Sequence, residues 1–133
     1  MKNLFIILLF ALSTIACDKD RDQCPTNISC TMEYRMITVD VKDTLGNPVE
    51  LDYYEVYVQG SLIPMNLTGD PSWQAGTYVI IADDKMNTLD RYEPKTLRFD
   101  GYLDTELVVR EYYVVTHDCC HVVLQSGTTE VVI

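Results

Sequence analysis

The sequence predicts an all-β domain, an antiparallel β-sandwich of about seven strands. Three observations predict it. Strand-forming residues dominate, with nine tyrosines among 133 residues and many Val, Ile and Thr, all types that fit a pleated, half-buried surface. Apolar and polar residues alternate with period two over several short stretches, each closed by Gly, Pro, Asn or Asp. No stretch after residue 17 carries the 3.6-residue apolar repeat of a long amphipathic helix.

The chain opens with Met1, Lys2 and Asn3, a short basic start. An apolar run from Leu4 to Leu12 follows, then small or apolar residues up to Ala16 and Cys17. That order predicts a cleaved secretory signal over residues 1–16. The run is well short of the roughly 20 residues that span a bilayer as a helix. Thr14-Ile15-Ala16-Cys17 resembles the lipobox of bacterial lipoproteins, with Thr14 where Leu is usual. The resemblance implies cleavage before Cys17 and lipidation of its thiol, so that the membrane is a partner through the anchor. Two or three acyl chains hold a protein firmly where one does not. The charged run Asp18-Lys19-Asp20-Arg21-Asp22 is similar to the tethers of surface lipoproteins of Bacteroidetes-like bacteria. This implies an outer-membrane lipoprotein, periplasmic or cell-surface facing. Residues 17–30 form the tether and 31–133 the sandwich domain.

Met36 to Lys42 alternates cleanly, with Ile37, Val39 and Val41 on one face and Thr38, Asp40 and Lys42 on the other. That is a half-buried antiparallel strand. Residues 43–48 form a turn in which Gly46 and Asn47 can take positive φ and Pro48 ends the ladder. Leu51 to Gln59 alternates again, with Tyr54, Val56 and Val58 inward and Tyr53, Glu55, Tyr57 and Gln59 outward. Gly60 to Ser72 is loop, punctuated by Pro64, Gly69 and Pro71. Thr77 to Asp83 is apolar on both faces, which predicts a central strand. Asp84 to Pro94 has room for one helical turn built on Met86, Leu89 and Tyr92. Thr96 to Phe99, an Asp100-Gly101 turn and the residues from Tyr102 read as a hairpin. Glu106 to Thr116 is a long strand. Cys120 to Gln125 and Thr128 to Ile133 read as a last hairpin around Ser126-Gly127.

Gly46-Asn47-Pro48-Val49 and Gly76-Thr77-Tyr78-Val79-Ile80 resemble the turn and the Gly-x-Tyr strand of transthyretin-like and carboxypeptidase-regulatory-like sandwiches. Ig-like sandwiches share part of this pattern. Some hydrolases of the transthyretin-like group end in Tyr-Arg-Gly-Ser. This chain ends Glu130-Val131-Val132-Ile133, so that activity is not implied.

The segment before Cys17 holds one base, Lys2, and no acid. Of the chain's 10 bases and 20 acids, 9 and 20 follow it, a net charge of −11. Such a surface argues against nucleic acid, because phosphate binding needs clustered Lys and Arg. It also argues against lying on anionic lipid.

His117-Asp118-Cys119-Cys120-His121 is the most reactive-looking segment. On a strand, His117, Cys119 and His121 would share one face and leave Cys120 on the other. Such a ladder could bind zinc or copper. The favoured reading is structural. An exported chain meets oxidising conditions, and Cys24, Cys30, Cys119 and Cys120 make an even set once Cys17 is set aside. Neighbouring Cα atoms stand only about 3.8 Å apart, too close for an ordinary Cys119–Cys120 bridge. The expected arrangement ties Cys24 and Cys30, one each, to Cys119 and Cys120, in an order left open. Each bridge closes a loop of about 90 residues, worth about 4–5 kcal/mol in the chain-entropy model.

Tyr53 and Tyr57, with Trp73, form a candidate outer aromatic face for glycan or protein contact; packing under the 60–72 loop is the competing reading. No Ser, His and Asp set has catalytic spacing, and no cofactor motif is present. The sequence therefore predicts a non-enzymatic binding or assembly accessory of the cell envelope, with a metal-handling protein as the alternative.

Overall fold

The structure, a computed structural model, describes residues 24–67 and 74–133. The expected signal segment over residues 1–16, the expected lipidation site Cys17, and Trp73 lie outside the described residues. Seven strands form: β1 Met36–Lys42, β2 Tyr53–Val58, β3 Thr77–Ala82, β4 Lys95–Leu103, β5 Glu106–His117, β6 Val122–Ser126 and β7 Glu130–Val132. They make two sheets, β3-β1-β7 and β2-β4-β5-β6. This is an all-β sandwich. The pairs are antiparallel except β1 with β7, which run parallel.

The alternation read from the sequence decides which faces meet. Val39, Val41, Val56, Leu97, Phe99, Tyr113 and Val115 are fully buried between the sheets. Tyr54, Tyr78 and Phe99 pack as a tilted aromatic group with centroids 5.2–6.0 Å apart, the offset geometry that aromatic quadrupoles favour.

Four expectations are corrected. β3 is buried along its whole length, but it lies at a sheet edge and β1 is central. The segment after Pro48 closes on the start of the strand: the Tyr78 hydroxyl donates to Val49 O at 2.8 Å and accepts from Leu51 N–H at 2.6 Å. Asp100-Gly101 is not a turn. β4 runs straight through it, and the hairpin turns at Asp104 and Thr105, both at positive φ (47° and 68°). Two successive positive φ values match the right-handed twist of the flanking strands. Gly101 is small because Leu51 lies over it; an added Cβ would meet Leu51 Cδ1 at 2.7 Å. β6 and β7 do not pair with each other, since β7 crosses to the other sheet and joins β1. Finally, the helical turn is a 3-10 helix at Asp83–Thr88, with Leu89 buried just after it and Tyr92 exposed.

The sandwich has two distinct ends. At one, β5 finishes, β1 and β6 begin, and the 3-10 helix lies; residues 24–35 cross this end as a strap. At the other stand the β4–β5 turn and the β1–β2 turn. β5 is 12 residues long, about 40 Å at strand rise.

Candidate functional site on the outer face of the four-stranded sheet

The strap end holds the His-Asp-Cys-Cys-His segment. Cys24 is bonded to Cys119 and Cys30 to Cys120, with Cα separations of 5.6 and 5.3 Å. Only His117, the last residue of β5, lies in a strand; Asp118 to His121 form a turn. Asp118 Oδ1 accepts from Cys120 N–H at 2.6 Å and His121 N–H at 2.8 Å, a side chain folding its own turn. That turn breaks the period-two geometry and lets two adjacent cysteines reach two separate partners. These backbone N–H bonds hold the Asp118 carboxyl below the usual range.

The zinc or copper ladder is not assembled. Cys119 spends its sulfur in a disulfide. His117 Nδ1 lies 2.7 Å from Asp118 O, and its Nε2 lies 3.1 Å from Leu89 O. His121 Nδ1 faces Asp83 Oδ2 at 2.8 Å, and its Nε2 faces Thr31 Oγ1 at 3.0 Å. Among the described residues no group of three His, Cys, Asp or Glu side chains is placed to hold a metal ion. The row Thr31, His121, Asp83 has the order of a hydroxyl–base–carboxylate relay, yet its bonds hold the strap. Asp83 also accepts from Arg35 N–H and Val122 N–H, both at 2.8 Å. It thus joins strap, helix and β6. Burial opposes its ionisation, but the bonds from His121, Arg35 and Val122 outweigh that and hold its carboxyl low.

The arrangement best built for contact with a ligand is the outer face of the four-stranded sheet. Strand register lines its side chains into rows across β2, β4 and β5. Tyr53 stands opposite Tyr102; Glu55 opposite Asp100, itself opposite Arg110; Tyr57 opposite Arg98, itself opposite Tyr112. Tyr53 and Tyr102 stack with centroids 4.4 Å apart and planes 10° from parallel. Arg98 lies over the Tyr57 ring at 4.4 Å, a cation–π contact.

Asp100 is the centre of this face and is only 1% exposed, although it points away from the core. Two arginines cover it. Arg110 grips it with Nε at 2.7 Å and Nη2 at 2.9 Å, the bidentate fork that suits a carboxylate. Arg98 Nε lies 3.1 Å from Oδ2, close enough for charge pairing but too far off line for a hydrogen bond. The bond to Asp100 drives Arg110 further toward its charged form. Tyr57 donates to Glu55 at 2.6 Å, and that bond pushes its hydroxyl up to about 12. Burial, helped by the Asp100 and Glu55 charges, raises Tyr102. The face therefore sets two guanidinium groups against two carboxyl groups, with the Tyr57 and Tyr102 phenols held neutral beside them. Tyr53 and Tyr112 remain exposed at 44% and 52%.

Of the predicted face, Tyr53 and Tyr57 are on it, and Trp73 lies outside the described residues. Sequence reading missed Tyr102, Asp100, Arg98, Arg110 and Tyr112. Period-two alternation in β4 and β5 could have placed Arg98, Asp100, Arg110 and Tyr112 outward; only the register reveals that they meet. No protein-family model matches this chain, and no curated protein or solved structure matches it either.

Proposed function

We propose that this chain is an exported, lipid-anchored protein of the cell envelope that binds a partner, without catalysis, through the outer face of its four-stranded sheet. The partner that fits best is a glycan, with protein as the competing class. The carrying observation is the row of Tyr53 and Tyr102 beside the Asp100–Arg110 fork. The ring surface that Tyr53 and Tyr112 leave exposed takes the C–H side of a sugar ring, and the part-exposed Arg98 and Arg110 guanidinium groups, held in place by the buried Asp100, meet its hydroxyls. Because the charged groups already hold one another, they are ordered before binding, which lowers the entropic cost of association. The export and anchoring reading rests on residues 1–17 and is supported by the two disulfides, which belong to an oxidising compartment. We read the sandwich as transthyretin-like or carboxypeptidase-regulatory-like on the Gly46–Val49 turn and the Gly76–Ile80 strand. The metal-handling reading gains no support from the geometry of His117, Cys119 and His121.

The test is retention of the full chain on immobilised envelope polysaccharide. Tyr53→Ala combined with Tyr112→Ala should weaken retention at least about tenfold, the size of one lost aromatic contact. Tyr92→Ala, an exposed tyrosine at the other end, should change nothing. Equal retention of all three would sink the proposal.

A further inference from the structure

The strap end carries a second feature, on the turn after β2. Leu62 and Ile63 are 95% and 78% exposed. They are consecutive, they precede Pro64, and they do not droop onto the core. The turn is built to present them. Gly60 takes φ +87°, Ser61 N–H donates to Val58 O at 2.9 Å, and the Ser61 hydroxyl donates to Ile63 O at 3.0 Å while accepting Ile63 N–H at 3.1 Å. Both backbone polar groups of Ile63 are thus satisfied within the turn, and Pro64 has no N–H to satisfy. Ile63 can therefore leave water without stranding its own backbone groups, since an unpaired polar group in hydrocarbon is heavily penalised.

Strand register fixes where this tip lies. Val58 stands opposite Leu97 on β4, and Lys95 stands opposite Val115 on β5, two residues before the strand ends at His117. The tip is therefore at the same end as Cys119 and Cys120, to which the strap is bonded. Exposed Met32, Ile28 and Tyr34 on that strap and Tyr92 beside Cys119 share this end. Leu, Ile and Met with tyrosines at their margin is the composition of a membrane–water boundary. The charges there are mixed, with Arg35, Lys85, Arg91 and Lys95 against Glu33, Asp83, Asp84, Asp90, Glu93 and Asp118, a slight excess of acid. Zwitterionic lipid suits that balance, and anionic lipid does not.

We infer that the Leu62–Ile63 tip is a bilayer contact, dipping into zwitterionic lipid and seating the sandwich with its strap end on the membrane. This rests on the lipid anchor at Cys17. The seven residue steps from Cys17 to Cys24 reach at most about 25 Å, and Cys24 is tied to Cys119. An anchored chain therefore cannot turn its strap end far from the bilayer. The Tyr53–Tyr102 pair, about 25 Å away along β4 and β5, then faces outward.

The test uses the full, lipid-modified chain in phosphatidylcholine vesicles whose acyl chains carry bromine. Tryptophan is placed by Leu62→Trp, or by Leu45→Trp in the opposite end's turn, both in a Trp73→Phe background. Flotation with the vesicles reads the anchor; quenching reads the tip. The inference predicts at least twofold greater quenching at position 62 than at 45, lost when Ile63→Asp is added. Flotation with equal quenching at both positions overturns the tip contact, frees that surface for a protein partner and leaves the anchor standing. Failure to float overturns the anchor and the tip contact with it.

Discussion

Each oxygen of the Asp83 carboxylate has a structural duty. Oδ1 takes Val122 N–H; Oδ2 takes Arg35 N–H and faces His121. Asp83→Ala would leave two backbone donors and an imidazole without their partner, and such groups cost about 1–3 kcal/mol when stranded. We expect a loss of about 2–3 kcal/mol in denaturant unfolding with the disulfides intact. The same carboxyl gives the strap an acid limit. Asp83 and Asp118 are both held below their ordinary range. A carboxyl depressed in the folded state contributes stability that is fully present above its unfolded value, near pH 4, and lost as pH falls through the folded value. Amide exchange in residues 24–35 should therefore be steady from pH 7 to about 5, after correction for intrinsic rate, and should accelerate below about 4. Tyr113 makes the opposite case. It is fully buried, and its hydroxyl has no hydrogen-bond partner among the described residues; burial, with the Glu111 charge, pushes its ionisation to higher pH and keeps the phenol neutral. Removing a buried, unpaired hydroxyl removes a cost. Tyr113→Phe should leave Tm unchanged or raise it by a few degrees, and a fall of more than about 4 °C would show a partner that the fold does not reveal.

Among the elements, the strap depends most on covalent bonds. Residues 24–35 belong to no strand, and two disulfides hold them over sequence separations of 95 and 90 residues. Replacing Cys30 and Cys120 together by Ala should cost about 2–4 kcal/mol while leaving the sheets' circular dichroism unchanged. The elements also show where a sequence speaks and where it stays silent. β1 and β2 were legible because one face of each is buried and period-two alternation records it. The strap's bridges were legible in kind, from an even cysteine count, but their order was not, because it depends on how Asp118 folds the turn between the two cysteines. Asp100-Gly101 carries a strong local turn preference, and the local preference lost: Arg110, ten residues away, and Leu51, fifty away, hold that dipeptide inside a strand. β7 misled for a similar reason. Ser126-Gly127 reads as a tight turn, yet the strand after it is bonded to β1, some ninety residues earlier. The outer face was half legible. Its tyrosines on β2 are visible in one strand, but the Asp100 fork exists only once three strands are in register.

At the scale of the whole molecule, a net charge of −10 surrounds a sheet face whose own charges are paired off. Recognition there should depend little on salt. Polysaccharide retention should change less than about twofold between 50 and 500 mM salt, whereas a partner drawn by the acidic surface would be lost as its field is screened. In the proposed reading, lipid at Cys17 holds the chain to the membrane, the disulfides fix it just beyond that point, and the rows of the outer face project from the four-stranded sheet. The measurement that tests this most directly is non-reducing mass spectrometry of the protein extracted from envelope membranes, intact and after proteolysis. The account predicts a chain that begins at Cys17 with added acyl mass, no free thiol, and linked peptides joining Cys24 to Cys119 and Cys30 to Cys120. A chain that retains Met1, lacks lipid and carries free cysteines would contradict it.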